Sequence, residues 1–151
     1  MRKKLGLQEE RKGDADLFAA LFNAMEGQVD FTNFFRALSD FDESAENDFL
    51  RDTFIQRIRF DQWAGDYADR IKSEGLGRLQ RRDDMLKVNP KYILRNYLVQ
   101  TAIVKAENKD YSEVNKLLQL LTVPFDEQPE LESYAQEPPD WAKTLELSCS
   151  S

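Results

Sequence analysis

Histidine is absent from this 151-residue chain, so any chemistry it performs must come from carboxylates, amines, guanidinium groups, phenols and one thiol. Ser-His-Asp and Cys-His catalysis, histidine-based zinc sites and histidine proton shuttles are excluded together. The one thiol is Cys149, in the closing segment Leu147-Ser148-Cys149-Ser150-Ser151. A single cysteine forms no disulfide within these residues and no cysteine-rich metal site. A thiol near a chain end can reach a cysteine on another segment or chain, which is what a redox role requires. It can equally be an incidental exposed cysteine.

The acidic run from Asp40 to Asp48 holds Asp40, Asp42, Glu43, Glu46 and Asp48, and hard cations want several carboxylate oxygens in a short loop. Counted from Asp40, however, the sixth position is Ala45 where a calcium loop needs glycine, and the twelfth is Arg51 where it needs glutamate. A solvated helix connection whose carboxylates favour the next helix's N-terminus fits the pattern better. Asp83 and Asp84 are sequence neighbours, and neighbours on a helix point about 100° apart, too divergent to share a proton. Gly75-Leu76-Gly77 has neither the preceding strand nor the third glycine of a phosphate loop and reads as a break.

Residues 76 to 105 carry seven basic groups, among them Arg78, Arg81, Arg82, Lys91 and Arg95, against Asp83 and Asp84, a local charge of +5. Residues 122 to 151 carry seven acidic groups against Lys143, a local charge of −6. Opposite signs on neighbouring segments predict that the acidic tail docks on or beside the basic stretch. The five named cations are candidates for a phosphate site or for intramolecular contacts, and intramolecular pairing is the commoner use of such clusters.

The elements that must position these groups are helical. Leu17, Phe18, Leu21, Phe22 and Met25 repeat at helical spacing between a capping Asp14 and a terminating Gly27. Phe31, Phe34, Phe35 and Leu38 predict a second helix with Thr32 as its cap, and Phe49 through Ile58 a third begun by Asn47. Trp63, Tyr67 and Ile71 mark a fourth, and Leu79 to Leu86 a short one. Asn89-Pro90 predicts the start of a long helix through Leu94, Leu98 and Ala102 to about Asn108, because proline's missing donor costs nothing in a first turn. Asp110 and Glu113 have capping-box spacing ahead of Val114, Leu117, Leu118 and Leu121.

Four of the five prolines then fall in the last thirty residues beside Phe125, Leu131, Tyr134, Trp141, Leu145 and Leu147. That mixture predicts an extended strap lying on a surface. The expected fold is all-α: a bundle-like helical region over residues 1–121 and an acidic, Pro-rich strap over 122–151.

A formal charge of −7 disfavours nucleic acid and anionic lipid as partners. No apolar run approaches the roughly 20 residues a membrane span needs. The basic opening Met1-Arg2-Lys3-Lys4 is followed by no apolar stretch, so no export signal is expected.

The string Asn89-Pro90-Lys91-Tyr92-Ile93-Leu94-Arg95-Asn96-Tyr97-Leu98 is long and unusual. With Phe125-Asp126-Glu127-Gln128-Pro129, Pro138-Pro139-Asp140-Trp141 and the terminal Ser148-Cys149-Ser150-Ser151, it resembles the C-terminal part of the selenoprotein O family, the YdiU-like proteins of bacteria. Met1-Arg2-Lys3-Lys4-Leu5-Gly6-Leu7 and Phe35-Arg36-Ala37-Leu38-Ser39 also resemble that family, so the likeness spans nearly the whole chain.

The resemblance implies a kinase-like protein that moves AMP from ATP, with Mg2+, onto Ser, Thr or Tyr hydroxyls of protein substrates in the bacterial cytoplasm. Its glycine-rich loop, catalytic lysine and metal-binding residues lie upstream of the matching part and have no counterpart motif here. The expectation is therefore a non-catalytic helical portion without ATP or Mg2+ of its own, bracing an N-terminal kinase-like domain. Some members have selenocysteine where this chain has Cys149, and the family's terminal cysteine is thought to bond with one in the kinase-like domain, which marks Cys149 as the redox element. An alternative is a free-standing helical adaptor with aromatic-rich faces and an acidic strap. Apolar faces left bare in such a piece could also drive oligomerisation.

Overall fold

The computed structural model describes residues 1–26 and 29–142. Seven α-helices are present and no strand occurs among the described residues, so the fold is all-α. They are α1 (Asp14–Ala24), α2 (Phe31–Ala37), α3 (Asp48–Arg51), α4 (Arg57–Lys72), α5 (Arg78–Leu86), α6 (Asn96–Glu107) and α7 (Ser112–Thr122). The chain divides into two compact units, Met1–Asn89 and Pro90–Ser151. The sequence-based boundary near residue 121 thus falls inside the second unit.

The first unit is organised by α4. Phe60, Trp63, Tyr67 and Ile71 recur at helical spacing and all four are buried. Leu17, Leu21 and Ala24 do the same for α1, which packs against α4. The rings interlock: Trp63 stacks on Tyr67 with centroids 4.9 Å apart, and Phe34 meets both Phe54 and Trp63 edge-on. The polar ends of the two large rings are satisfied where they are buried, Trp63 Nε1 donating to the Leu17 carbonyl at 3.2 Å and the Tyr67 hydroxyl to that of Leu5 at 2.8 Å. Leu5 and Leu7 reach this core because the 3-10 turn Arg2–Leu5 ends at Gly6 with φ +68. A side chain at Gly6 would stand 2.6 Å from Cγ of Arg81, so the close approach requires glycine as much as the dihedral does.

Several helix ends differ from those expected. Asp30, not Thr32, caps α2, its carboxylate accepting from the Asn33 amide at 2.8 Å. The third helix stops at Arg51, and a turn intervenes before α4 takes up Ile58. The expected stop at Gly27 lies outside the described residues.

The second unit corrects the largest error of the periodicity reading. Pro90 does not open a helix: α6 begins only at Asn96. The amides of Lys91 and Tyr92 both donate to the Pro124 carbonyl, at 2.9 and 3.1 Å, and Asn89 uses its side chain to hold the Lys4 carbonyl. Both signals of a helix start were present, but tertiary hydrogen bonds took the groups a helix would have used. α6 and α7 form a hairpin around Leu98, Ala102, Leu117 and Leu120. Its turn has Lys109 at φ +63, with Lys109 N donating to Ala106 and Asp110 N to Lys105, a Schellman-type ending. The Pro-rich segment is not extended throughout, since Pro129–Ala135 and Asp140–Ala142 form 3-10 turns.

Candidate functional site

Arg78, Arg81 and Arg82 lie three and four residues apart on α5 and so share a face. That face meets the acidic loop after α2. Arg78 donates to Asp42 Oδ2 at 2.8 Å and to the Asp40 carbonyl at 3.1 Å, and Arg82 donates to Asp40 Oδ1 at 2.5 Å. Arg81 is 2% exposed, and its guanidinium binds the Phe41 carbonyl at 2.6 Å and Glu43 Oε2 at 3.1 Å. Burial pushes the Glu43 carboxyl up, but its backbone hydrogen bond and Arg81 outweigh burial and hold it below the usual glutamate value. The three arginines are therefore engaged with carboxylates and carbonyls of their own unit. An incoming phosphate would have to displace them.

The acidic loop itself borders an open cleft of about 580 Å3 between Asp42, Glu46 and Asp48 on one side and α4 on the other. No group of three Cys, Asp or Glu able to hold a metal ion occurs among the described residues.

Lys91 and Arg95 belong to the other unit. Lys91 Nζ lies 2.5 Å from Glu127 and 2.5 Å from Glu132. Burial works against its charge, and the two carboxylates overcome that and raise its pKa. Arg95 is nearly buried at the entrance to α6, where its carbonyl accepts from Leu98 and Val99. The part of the acidic strap around Glu127, Gln128 and Glu132 thus docks on the 91–92 corner and on the end of α7, where Gln128 Nε2 donates to the carbonyls of Leu120 and Val123. Cys149 lies outside the described residues.

Two charged centres escaped the sequence reading. Glu113, 5% exposed, accepts from Tyr134 Oη at 2.6 Å and from Lys105 Nζ at 2.8 Å instead of reaching back to cap its helix. Burial first, then the Glu113 bond, pushes the Tyr134 hydroxyl up to about 12. In the first unit Arg70 lies between Asp14, at 2.7 Å, and Glu74, at 2.5 Å, with all three side chains largely buried. The signal was available in register: Glu113 is in step with Leu117 and Leu120, Asp14 with Leu17 and Leu21, and Arg81 with Met85. A charge on a helix's apolar stripe must find a partner.

Each of these centres is a clamp in which the charged side chains are held by partners of their own unit. The family model described as "Protein adenylyltransferase SelO" matches residues 1–122. The chain belongs to the SelO family. It is 54% identical, over its full length, to the protein nucleotidyltransferase YdiU of Herminiimonas arsenicoxydans, of which it covers 31%. It is 53% identical to the YdiU of Thioalkalivibrio sulfidiphilus, again covering 31%, and 47% identical to that of Cupriavidus metallidurans, covering 28%. The chain thus spans less than a third of the length of the curated SelO relatives it matches. Among the described residues no helix is long and apolar enough to cross a membrane.

Proposed function

We propose that this chain is a supporting helical region of a protein nucleotidyltransferase and that the ATP-handling groups reside on other polypeptide. At full length such a protein would transfer AMP from ATP, with Mg2+, to hydroxyl groups of proteins. The observation that carries the reading is the coverage: relatives about half identical to this chain and named nucleotidyltransferases have more than two thirds of their length outside the match. The engagement of Arg78, Arg81 and Arg82 by Asp40, Asp42 and Glu43 supports it. Phosphoryl and nucleotidyl transfer depend on positioned cations and a metal-held triphosphate, and cations already neutralised by carboxylates are poor holders of one.

Cys149, by the family's pattern, is the redox element of this region. Replacing it with serine in a full-length protein should remove a redox-dependent change in activity. Equal activity under reducing and oxidising conditions in both forms would refute that role. For the support role the direct test is calorimetric titration of Mg-ATP into the isolated chain, which should give no binding heat. A saturable signal of one nucleotide per chain would overturn the proposal.

A further inference from the structure

Each helix of the second unit carries two apolar stripes, and among the described residues only one is fully covered. Leu98 and Ala102 of α6 face Leu117 and Leu120 of α7, and Leu131, Tyr134 and Ala135 close over that seam. The second pair of stripes, Val99, Ile103 and Ala106 on α6 and Val114, Leu118 and Leu121 on α7, runs at i, i+4, i+7 along an open groove of about 380 Å3. Every residue lining the groove is aliphatic. Leu94, at its end, is 53% exposed and Leu118 is 69% exposed.

Single exposed leucines are ordinary, but two adjacent stripes at helical spacing belong to a layer that something packs against. Among the described residues the unit's buried apolar cluster is also small, five residues against seventeen in the first unit. A groove between two helices accepts the ridge of a third.

The geometry points to an occupant of one kind, an amphipathic helix from the remaining polypeptide that SelO relatives carry, seated in the α6–α7 groove. This rests on the support role proposed above and says which surface performs it. Relatives at 54% and 53% identity join this region to more than twice its own length of further chain. A segment in the same chain meets the groove at an effective concentration of order millimolar, well above what a second copy reaches at working dilution.

The test uses a thiol placed in the groove. Leu118→Cys, in a Cys149→Ser background, leaves one cysteine in the chain, and Ile103→Cys probes the facing wall. Maleimide labelling, read by mass spectrometry of the groove peptide, is compared between the 151-residue chain and the full-length Herminiimonas arsenicoxydans protein carrying this chain as its matching segment. Rapid labelling in the short chain and at least tenfold slower labelling at both positions in the long protein is the expected result. Equal rates in the two would overturn the groove assignment while leaving the support role standing if the long protein still transfers nucleotide. Slow labelling in the short chain that quickens on dilution would assign the groove to a second copy and overturn it as well. Nucleotide transfer by the short chain alone would instead remove the support role, whatever the labelling shows.

Discussion

The hydroxyl of Tyr134 donates to the buried carboxylate of Glu113 at 2.6 Å, tying the Pro-rich segment to the first turn of α7. Lys105 holds the carboxylate's other oxygen at 2.8 Å.

Tyr134→Phe keeps the ring and removes the donor, leaving one buried carboxylate oxygen short of a partner. The expected cost is about 1–3 kcal/mol. Hydrogen exchange should localise the loss: amides of 129–135 exchange faster in the variant, while those of α4 are unchanged.

Acid should weaken the fold through three carboxylates. Asp14 is held below its ordinary value of 3.8 chiefly by Arg70, and Glu43 and Glu113 below 4.5 by bonds that outweigh their burial. With folded values below unfolded ones, the unfolded chain binds more protons, so stability rises with pH. The contribution is whole above about pH 4.5 and is lost as pH falls through the lowered values. Urea unfolding from pH 7 to 3 should show this decline, and Asp14→Asn should flatten it.

Two backbone positions should respond in opposite directions. Lys109 sits at φ +63 in the α6 ending, so Lys109→Gly should stabilise by about 0.5–1 kcal/mol after the extra freedom of glycine in the unfolded chain is counted. Gly6→Ala combines φ +68 with a Cβ 2.6 Å from Arg81 and 2.9 Å from the Met85 sulfur. It should cost about 1–3 kcal/mol. Thermal melts of both variants decide the signs.

Arg81→Met should destabilise more than Glu43→Gln, because Arg81 also holds the Phe41 carbonyl in the interior, whereas the Glu43 side chain is 23% exposed. A loss of about 2 kcal/mol for the arginine variant would lower the melting temperature of a unit this size by roughly 8–16 °C. The double variant should cost less than the two single losses combined.

Periodicity was enough to read the helices from the sequence wherever one apolar face decides the outcome, as with Phe60, Trp63, Tyr67 and Ile71. It failed at Pro90, where the start signal was genuine but the amides of Lys91 and Tyr92 bind Pro124, more than thirty residues away. The opposite charges of the basic stretch and the tail were legible; their partners were not. The α5 arginines found the Asp40–Glu43 loop, and Lys91 received Glu127 and Glu132 of the strap. Pairing across such separations depends on which helices meet, which spacing along one chain does not encode. Glu113 has capping-box spacing from Asp110, but it also falls in step with Leu117 and Leu120, and its burial on that stripe gives it Lys105 and Tyr134 as partners.

In the role proposed above, these residues support a nucleotidyltransferase without performing its chemistry. Incubating α-phosphate-labelled ATP, Mg2+ and a protein acceptor with the isolated chain, beside a full-length SelO relative, tests it most directly. Label should appear on the acceptor only with the full-length protein. Label transferred by the 151 residues alone would contradict it.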